Sequence, residues 1–266
     1  MTQAATRRER LREGTVADIK RTARELLVYG GPSAISLRAI ARTLGMSAAA
    51  LYRYFPSLEA LVRELAGDLY DELREAVTAA GDACGAGASQ RSTTGDARGA
   101  GASQRSTAAR GADGGAEADP WAAAAVRLGA MARAYRAWSL GHPAEFALIF
   151  GNPVPGIAEL EDDCLSPDHP GARLGAAFLE PFVALWRSGD PSGRHAPDLG
   201  ASTAPLVAVH GDDLPAGALA AFLAGWTRLY GLVAMEVFGH LRWAVTDVSP
   251  LFEAELAAFT RELGKR

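Results

Sequence analysis

Residues 36–55 read SLRAIARTLGMSAAALYRYF, and this stretch decides the fold. Leu37, Ile40, Ala41 and Leu44 recur at helical spacing and form one apolar stripe. Ser36 stands where an N-cap belongs, because its side-chain oxygen can accept an orphan amide at a helix start. Gly45 then breaks the pattern, since glycine enters the left-handed conformation that ends a helix at little cost. Met46 supplies an apolar plug for the turn, and Ser47 caps a second short helix. Leu51 and Phe55 return that second helix to the core, whereas Ala48, Ala49 and Arg53 stay outside. Two short helices joined in this way make a helix-turn-helix, whose second helix enters the major groove of DNA.

Working outward, Val16, Ile19, Ala23, Leu26 and Leu27 predict an amphipathic helix that buttresses the pair and stops at Gly30-Gly31-Pro32. Before it, residues 1–14 form a basic N-terminal arm with Arg7, Arg8, Arg10 and Arg12. It reads equally as a solvated, frayed terminus or as an arm that reaches DNA. After it, Ser57 caps a long connecting helix over 58–80, carried by Leu58, Leu61, Val62, Leu65, Leu69, Leu73 and Val77.

Residues 15–66 resemble the DNA-binding domain of the TetR family of transcriptional regulators, most specifically in ALYRYFPSLEALV over 50–62. Leu58 departs from the phosphate-contacting Lys usual in that family. The resemblance gives Tyr52 and Tyr54 the role of phosphate-contacting aromatics. It puts Arg38 within reach of a base edge and sets Ser47, Ala48 and Ala49 where bases are read. Arg53 suits base or phosphate, and Ser36 and Thr43 are weaker phosphate candidates. Alanines can read only by contact with a thymine methyl.

Charge is divided along the chain. Residues 1–57 hold ten Lys/Arg against four Asp/Glu, a net of +6. The remainder holds 17 against 27, a net of −10, and together these give the −4 of the whole chain. A basic head on an acidic body suits a DNA reader with a separate regulatory domain, which the 266-residue length accommodates. Cys84 and Cys164 make no disulfide framework, and the N-terminus lacks the apolar run of a signal peptide, so a cytoplasmic protein is expected. Ala216–Leu241 is apolar enough to suggest a membrane, but Arg228 and Glu236 interrupt it. The reading is a buried helix and no membrane partner.

Residues 81–119 are rich in Gly, Ala, Ser, Thr and Arg, and GAGASQRST occurs at 85–93 and again at 99–107. With no apolar face, this segment is expected to be a disordered, repeat-containing insertion. A C-terminal domain over 120–266 follows. Its helices begin at Pro120, at Pro143 (PAEFALIF, 143–150), near His169 with Pro181 inside, at Pro215 and at Ser249. An acidic loop lies at 159–163, and a turn of structure is expected at Pro205–Val209. No strand pattern appears. The fold class is all-α: a three-helix helix-turn-helix domain plus a larger C-terminal helical domain for ligand binding and dimerisation.

WTRLYGLVAMEVFGHL, residues 226–241, resembles the C-terminal domain of a TetR subgroup named for a Trp-His-Gly signature. Trp226 and Gly231 match, and Tyr230 replaces the His. The family resemblance implies a homodimer through the last two helices and a pocket for a small effector. Tyr135, Trp138, Phe146, Phe150, Phe178, Phe182, Trp186, Trp226 and Tyr230 are candidates to line that pocket. An aromatic at helical spacing is more often plain core than pocket lining.

The five histidines, His142, His169, His195, His210 and His240, show no metal-ligand spacing. Asp162, Asp163, Cys164, Asp168 and His169 read as a solvated acidic loop. No catalytic motif, metal site or cofactor site is found. The function expected is a ligand-responsive repressor, dimeric on a palindromic double-stranded DNA operator, with recognition helices ~34 Å apart. An activator or a ligand-independent repressor would leave the same marks. An enzyme or a small-molecule-binding protein, and a non-specific architectural protein, are the readings outside this class.

Overall fold

The computed structural model describes residues 6–93, 119–151, 166, 168–189, 199 and 217–264, with side chains from 85 to 93 excepted. Among the described residues every regular element is helical. The helices are α1 (Arg7–Gly30), α2 (Leu37–Thr43), α3 (Ala48–Tyr52), α4 (Leu58–Thr93), α5 (Pro120–Gly141), α6 (Pro143–Phe150) and α7 (Pro170–Ser188). They are followed by α8 (Ala218–Val237) and α9 (Ser249–Leu263), and a 3-10 turn, Pro32–Ala34, follows α1.

The local chemistry sets these bounds. The Oγ atoms of Ser36, Ser47 and Ser57 accept from the amides of Ala39, Ala50 and Ala60 at 3.1, 3.1 and 3.0 Å, so each serine starts its helix as a cap. Gly45, at φ 64°, makes the left-handed turn between α2 and α3.

Two expectations are corrected. The arm expected at residues 1–14 is helical from Arg7, and residues 1–5 lie outside the described residues. The Thr6 hydroxyl accepts from the Glu9 amide, and the Glu9 carboxylate accepts from the Thr6 amide, which makes a capping box. The connecting helix does not end near Gly81 but continues to Thr93, through the first GAGASQRST copy. Once a helix is nucleated each further residue adds one hydrogen bond, and no proline interrupts 81–93. The second copy at 99–107, the acidic loop at 159–163, Cys164, His195, His210 and the Pro205–Val209 turn lie outside the described residues.

The chain forms two compact units, and these cut across the boundaries expected from the sequence. The first takes α1, α2, α3 and α4 to Arg74, then Ala137–Leu174, which brings in α6 and the neighbouring ends of α5 and α7. Its core includes Ile19, Leu27, Ile40, Leu51, Phe55, Leu61 and Phe146, all essentially inaccessible. The second takes Glu75–Arg136 and Gly175–Arg266, with Tyr135, Phe178, Phe182, Leu185, Val233 and Phe252 buried. The apolar composition of α8 predicts burial on all sides, and the structure corrects this. The helix is long and apolar enough to cross a membrane, yet only a third of its most apolar stretch is buried. Its Arg228 bonds Glu262 at 2.8 Å and its Glu236 takes Arg136 at 2.7 Å, the ion pairs of a helix packed on other helices.

Candidate DNA interface and effector cavity

In the first unit the basic side chains fall into two groups. Those on the inner half of α1 and on α4 are neutralised. Lys20 meets Asp68 at 2.5 Å, Arg21 meets Asp18 at 2.8 Å, and Arg63 meets Glu59 at 2.7 Å. Arg7, Arg8, Arg10 and Arg12 on outer α1, Arg38 and Arg42 on α2, and Arg53 at the end of α3 form no ion pair among the described residues, and all are exposed. Arg38 and Arg42 stand four apart on one helical face. Like charges so placed repel by a few tenths of a kcal/mol, a small cost that an anion from outside would remove.

Around these arginines lie the other candidates. Ser47, Ala48 and Ala49 are exposed at the start of α3, Tyr52 is 52% exposed, and Tyr54 is half-buried. The Ser36 and Ser47 oxygens are already accepting as caps, which leaves their O–H groups free to donate. Thr43 donates its O–H to the Ala39 carbonyl at 3.1 Å, which makes it a poor phosphate donor. Leu58 is half-buried in the first turn of α4, so no cation stands at that position. Sequence reasoning passed over Arg42, although its i+4 spacing from Arg38 places both on one face.

In the same unit a polar network ties α1 to α4, α5 and α6. Arg24 donates to Glu72 at 2.7 Å through one guanidinium nitrogen and to Glu145 at 2.9 Å through Nε. The Trp138 indole N–H donates to Glu72 at 2.9 Å, and the His142 ring stacks on Trp138 with centroids 4.8 Å apart. Glu145 is 4% exposed, so its charge depends on Arg24. Burial pushes the Glu72 carboxyl up, but the hydrogen bonds from Arg24 and Trp138 outweigh it and hold Glu72 below the usual range.

The second unit holds an apolar cavity of ≈60 Å³, lined by Phe178, Phe182, Phe222, Trp226, Phe252 and Phe259 among others. Of the aromatics expected to line a pocket, Phe178, Phe182 and Trp226 line this one. Tyr135 packs on the rings of Phe178 and Trp226, and Trp186 stacks on Phe182. Tyr230 is half-buried on α8. Trp138, Phe146 and Phe150 are not brought to this cavity. They belong to the first unit, where Phe146 and Phe150 pack against each other at 4.9 Å and Tyr70 packs edge-on to Phe150. Phe222, Phe252 and Phe259 were missed as lining residues, although all three lie on the apolar stripes of the last two helices. Gly225 lets α8 and α9 approach, because a methyl there would overlap the Phe259 ring. Among the described residues no group of His, Cys, Asp and Glu could hold a metal ion.

Comparison with known proteins adds to this geometry. Residues 19–65 match the family described as bacterial regulatory proteins, tetR family, and residues 128–259 match the tetracyclin repressor-like C-terminal domain. The chain is 29% identical over 256 residues to the HTH-type transcriptional regulator Rv1816 of Mycobacterium tuberculosis, covering 94% of this chain and 92% of that one. It matches the HTH-type transcriptional regulator Mb1846 of Mycobacterium bovis to the same extent. The crystal structure of SCO4313, described as a regulatory protein, aligns over 96% of this chain and 98% of that one, at 31% identity and a TM-score of 0.59. A protein of unknown function from Rhodococcus shares the fold, at 21% identity, 94% and 95% coverage and a TM-score of 0.52.

Proposed function

The chain belongs to the TetR family of bacterial regulatory proteins and is a DNA-binding transcriptional regulator, and from that premise we propose that it acts as a homodimeric, cytoplasmic repressor released from a palindromic operator by a small, largely apolar molecule. The observation that carries the DNA half of this reading is the set of unneutralised arginines, Arg38, Arg42 and Arg53, around the capped α3. In the working complex α3 lies in the major groove. Arg38 meets a base edge, and Tyr52 and Tyr54 donate to phosphate oxygens.

The dimer half rests on uncovered apolar surface. Met235 is 42%, Phe238 41%, Trp243 87% and Leu251 40% exposed, all on or between α8 and α9. Gly231 on α8 faces open space, which suits the close approach of a partner helix. A second copy covering this face would bury what one copy leaves in water.

The effector half rests on the aromatic cavity. At ≈60 Å³ it is well below the roughly 300 Å³ of an ordinary ligand site, so an effector has to enlarge it. That work is how ligand favours a second conformation. Shifting 1:99 to 99:1 requires about 5.5 kcal/mol of preference for the released form. The same small volume favours a second reading, a repressor that uses no small effector.

Footprinting on the DNA upstream of the protein's own gene, with a salt titration, tests the proposal. The expected result is a protected palindrome with a steep salt slope, then release by an apolar compound that also raises the melting temperature. Absence of a protected site would overturn the operator reading. Protection that no compound relieves would favour the effector-free reading.

A further inference from the structure

Helix α1 runs well past the core it serves. Every residue from Arg7 to Gly14 is exposed, about 12 Å of helix with no burial to support it. The extension is held instead by its own chemistry, the reciprocal hydrogen bonds between Thr6 and Glu9.

On this extension Arg8 and Arg12 share the face that carries Ile19 further along the helix. Where that face packs it is apolar, and where it projects it is guanidinium. Arg12 lies 5.8 Å from the centre of the Tyr54 ring, at the C-terminal side of the recognition helix. Arg8 stands four residues before Arg12, a like-charged spacing that costs a few tenths of a kcal/mol when nothing neutralises it. The nearby acids do not neutralise it. The Glu9 carboxylate is engaged by Thr6, whose hydrogen bonds keep it ionised in the cap, and Glu13 lies about 100° around the helix from Arg12. Arg38 and Arg42 show the same unneutralised i, i+4 arrangement on α2.

We propose that the capped extension of α1 is a second DNA-contacting element, in which Arg8 and Arg12 hold the phosphate backbone beside the recognition helix. The inference rests on the operator-binding reading above and adds an anchor to it. Leu58 puts no cation in the first turn of α4, so the extension supplies positive charge that this helix start lacks.

Arg10 supplies an internal control, because it sits about 180° around the helix from the Arg8–Arg12 face. The test compares wild type, Arg8→Ala/Arg12→Ala, Arg12→Lys and Arg10→Ala in the full chain. Each is titrated with salt on the footprinted operator and on a random duplex of equal length. A phosphate contact contributes about 0.9 to the slope of log affinity against log salt. The double variant is expected to lower that slope by about 1.8 per bound protomer on both duplexes. Arg12→Lys is expected to keep most of the slope, and Arg10→Ala is expected to match wild type. Circular dichroism identical to wild type shows that the helix is retained. A slope unchanged in the double variant, or lowered equally in Arg10→Ala, would overturn the inference, as would a loss confined to the operator. Wild-type preference for the operator over random duplex reads the underlying proposal separately. Its absence would remove the specific regulator while the slopes still report on Arg8 and Arg12.

Discussion

In the first unit Arg8, Arg12, Arg38 and Arg42 stand in water without a carboxylate, while in the second unit Arg127, Arg133, Arg136 and Arg228 each hold at least one, Arg133 through two bonds of 2.8 and 2.6 Å to Glu253. The contrast reverses for apolar surface. α2 and α3 bury Leu37, Ile40 and Leu51, whereas the α8–α9 pair leaves Met235, Phe238 and Trp243 open. Around the helix-turn-helix the open groups are guanidinium, and on the α8–α9 face they are apolar side chains. Under the proposed function a polyanion meets the first of these surfaces and an apolar protein face meets the second.

The sharpest way to break this contrast is Arg38→Ala/Tyr52→Ala. A good base contact is worth about 1–3 kcal/mol, and a hydrogen bond to a charged group about 1.5–3 kcal/mol. Operator affinity should fall roughly hundredfold or more, with the oligomeric state in sedimentation unchanged. Equal affinity would mean that the open arginines are only solubilising charge.

Trp243→Ser tests the other side. Truncating a central aromatic anchor costs about 2 kcal/mol, so the dimer should dissociate roughly 30-fold more readily. Sedimentation across a concentration series reads this, and operator affinity should suffer only at low protein concentration. A monomer in both proteins would remove the contrast.

The smallest effect concerns the charges that are paired. Glu145→Ala leaves Arg24 with Glu72 alone, and Arg24 is about one-third exposed, so a stability loss of about 1–2 kcal/mol in the urea midpoint is expected. The Glu72 carboxyl is held below its ordinary value of 4.5. Its contribution is therefore present above pH 4.5 and is lost as pH falls through the lower folded value. Glu72→Gln should flatten that acid limb of the stability curve, and an unchanged limb would assign it to other groups.

Much of this was legible in sequence because it rests on local chemistry. Ser36, Gly45, Ser47 and Ser57 mark helix ends through their own side chains or their own φ, and an apolar stripe reports its own period. The Thr6–Glu9 capping box is equally local and is written in the sequence as Thr-x-x-Glu, but the arginines around it mask the signal and suggest a loose arm. Pairing between distant residues was not legible. Nothing near Arg24 in the chain announces Glu145, and nothing near Phe146 assigns it to the unit of α1 rather than to the aromatic cavity. Such pairings are decided by tertiary packing, to which an aromatic at helical spacing is indifferent.

Of the five tryptophans, all among the described residues, Trp121 and Trp226 are half-buried and Trp138 and Trp186 are buried, while Trp243 alone is exposed. The chain thus carries its own optical probe of the α8–α9 face. Iodide or acrylamide in the free protein will quench the Trp243 emission first. A partner that covers the indole will shield it from the quencher and shift its spectrum to the blue, so assembly can be followed by fluorescence without attaching a dye.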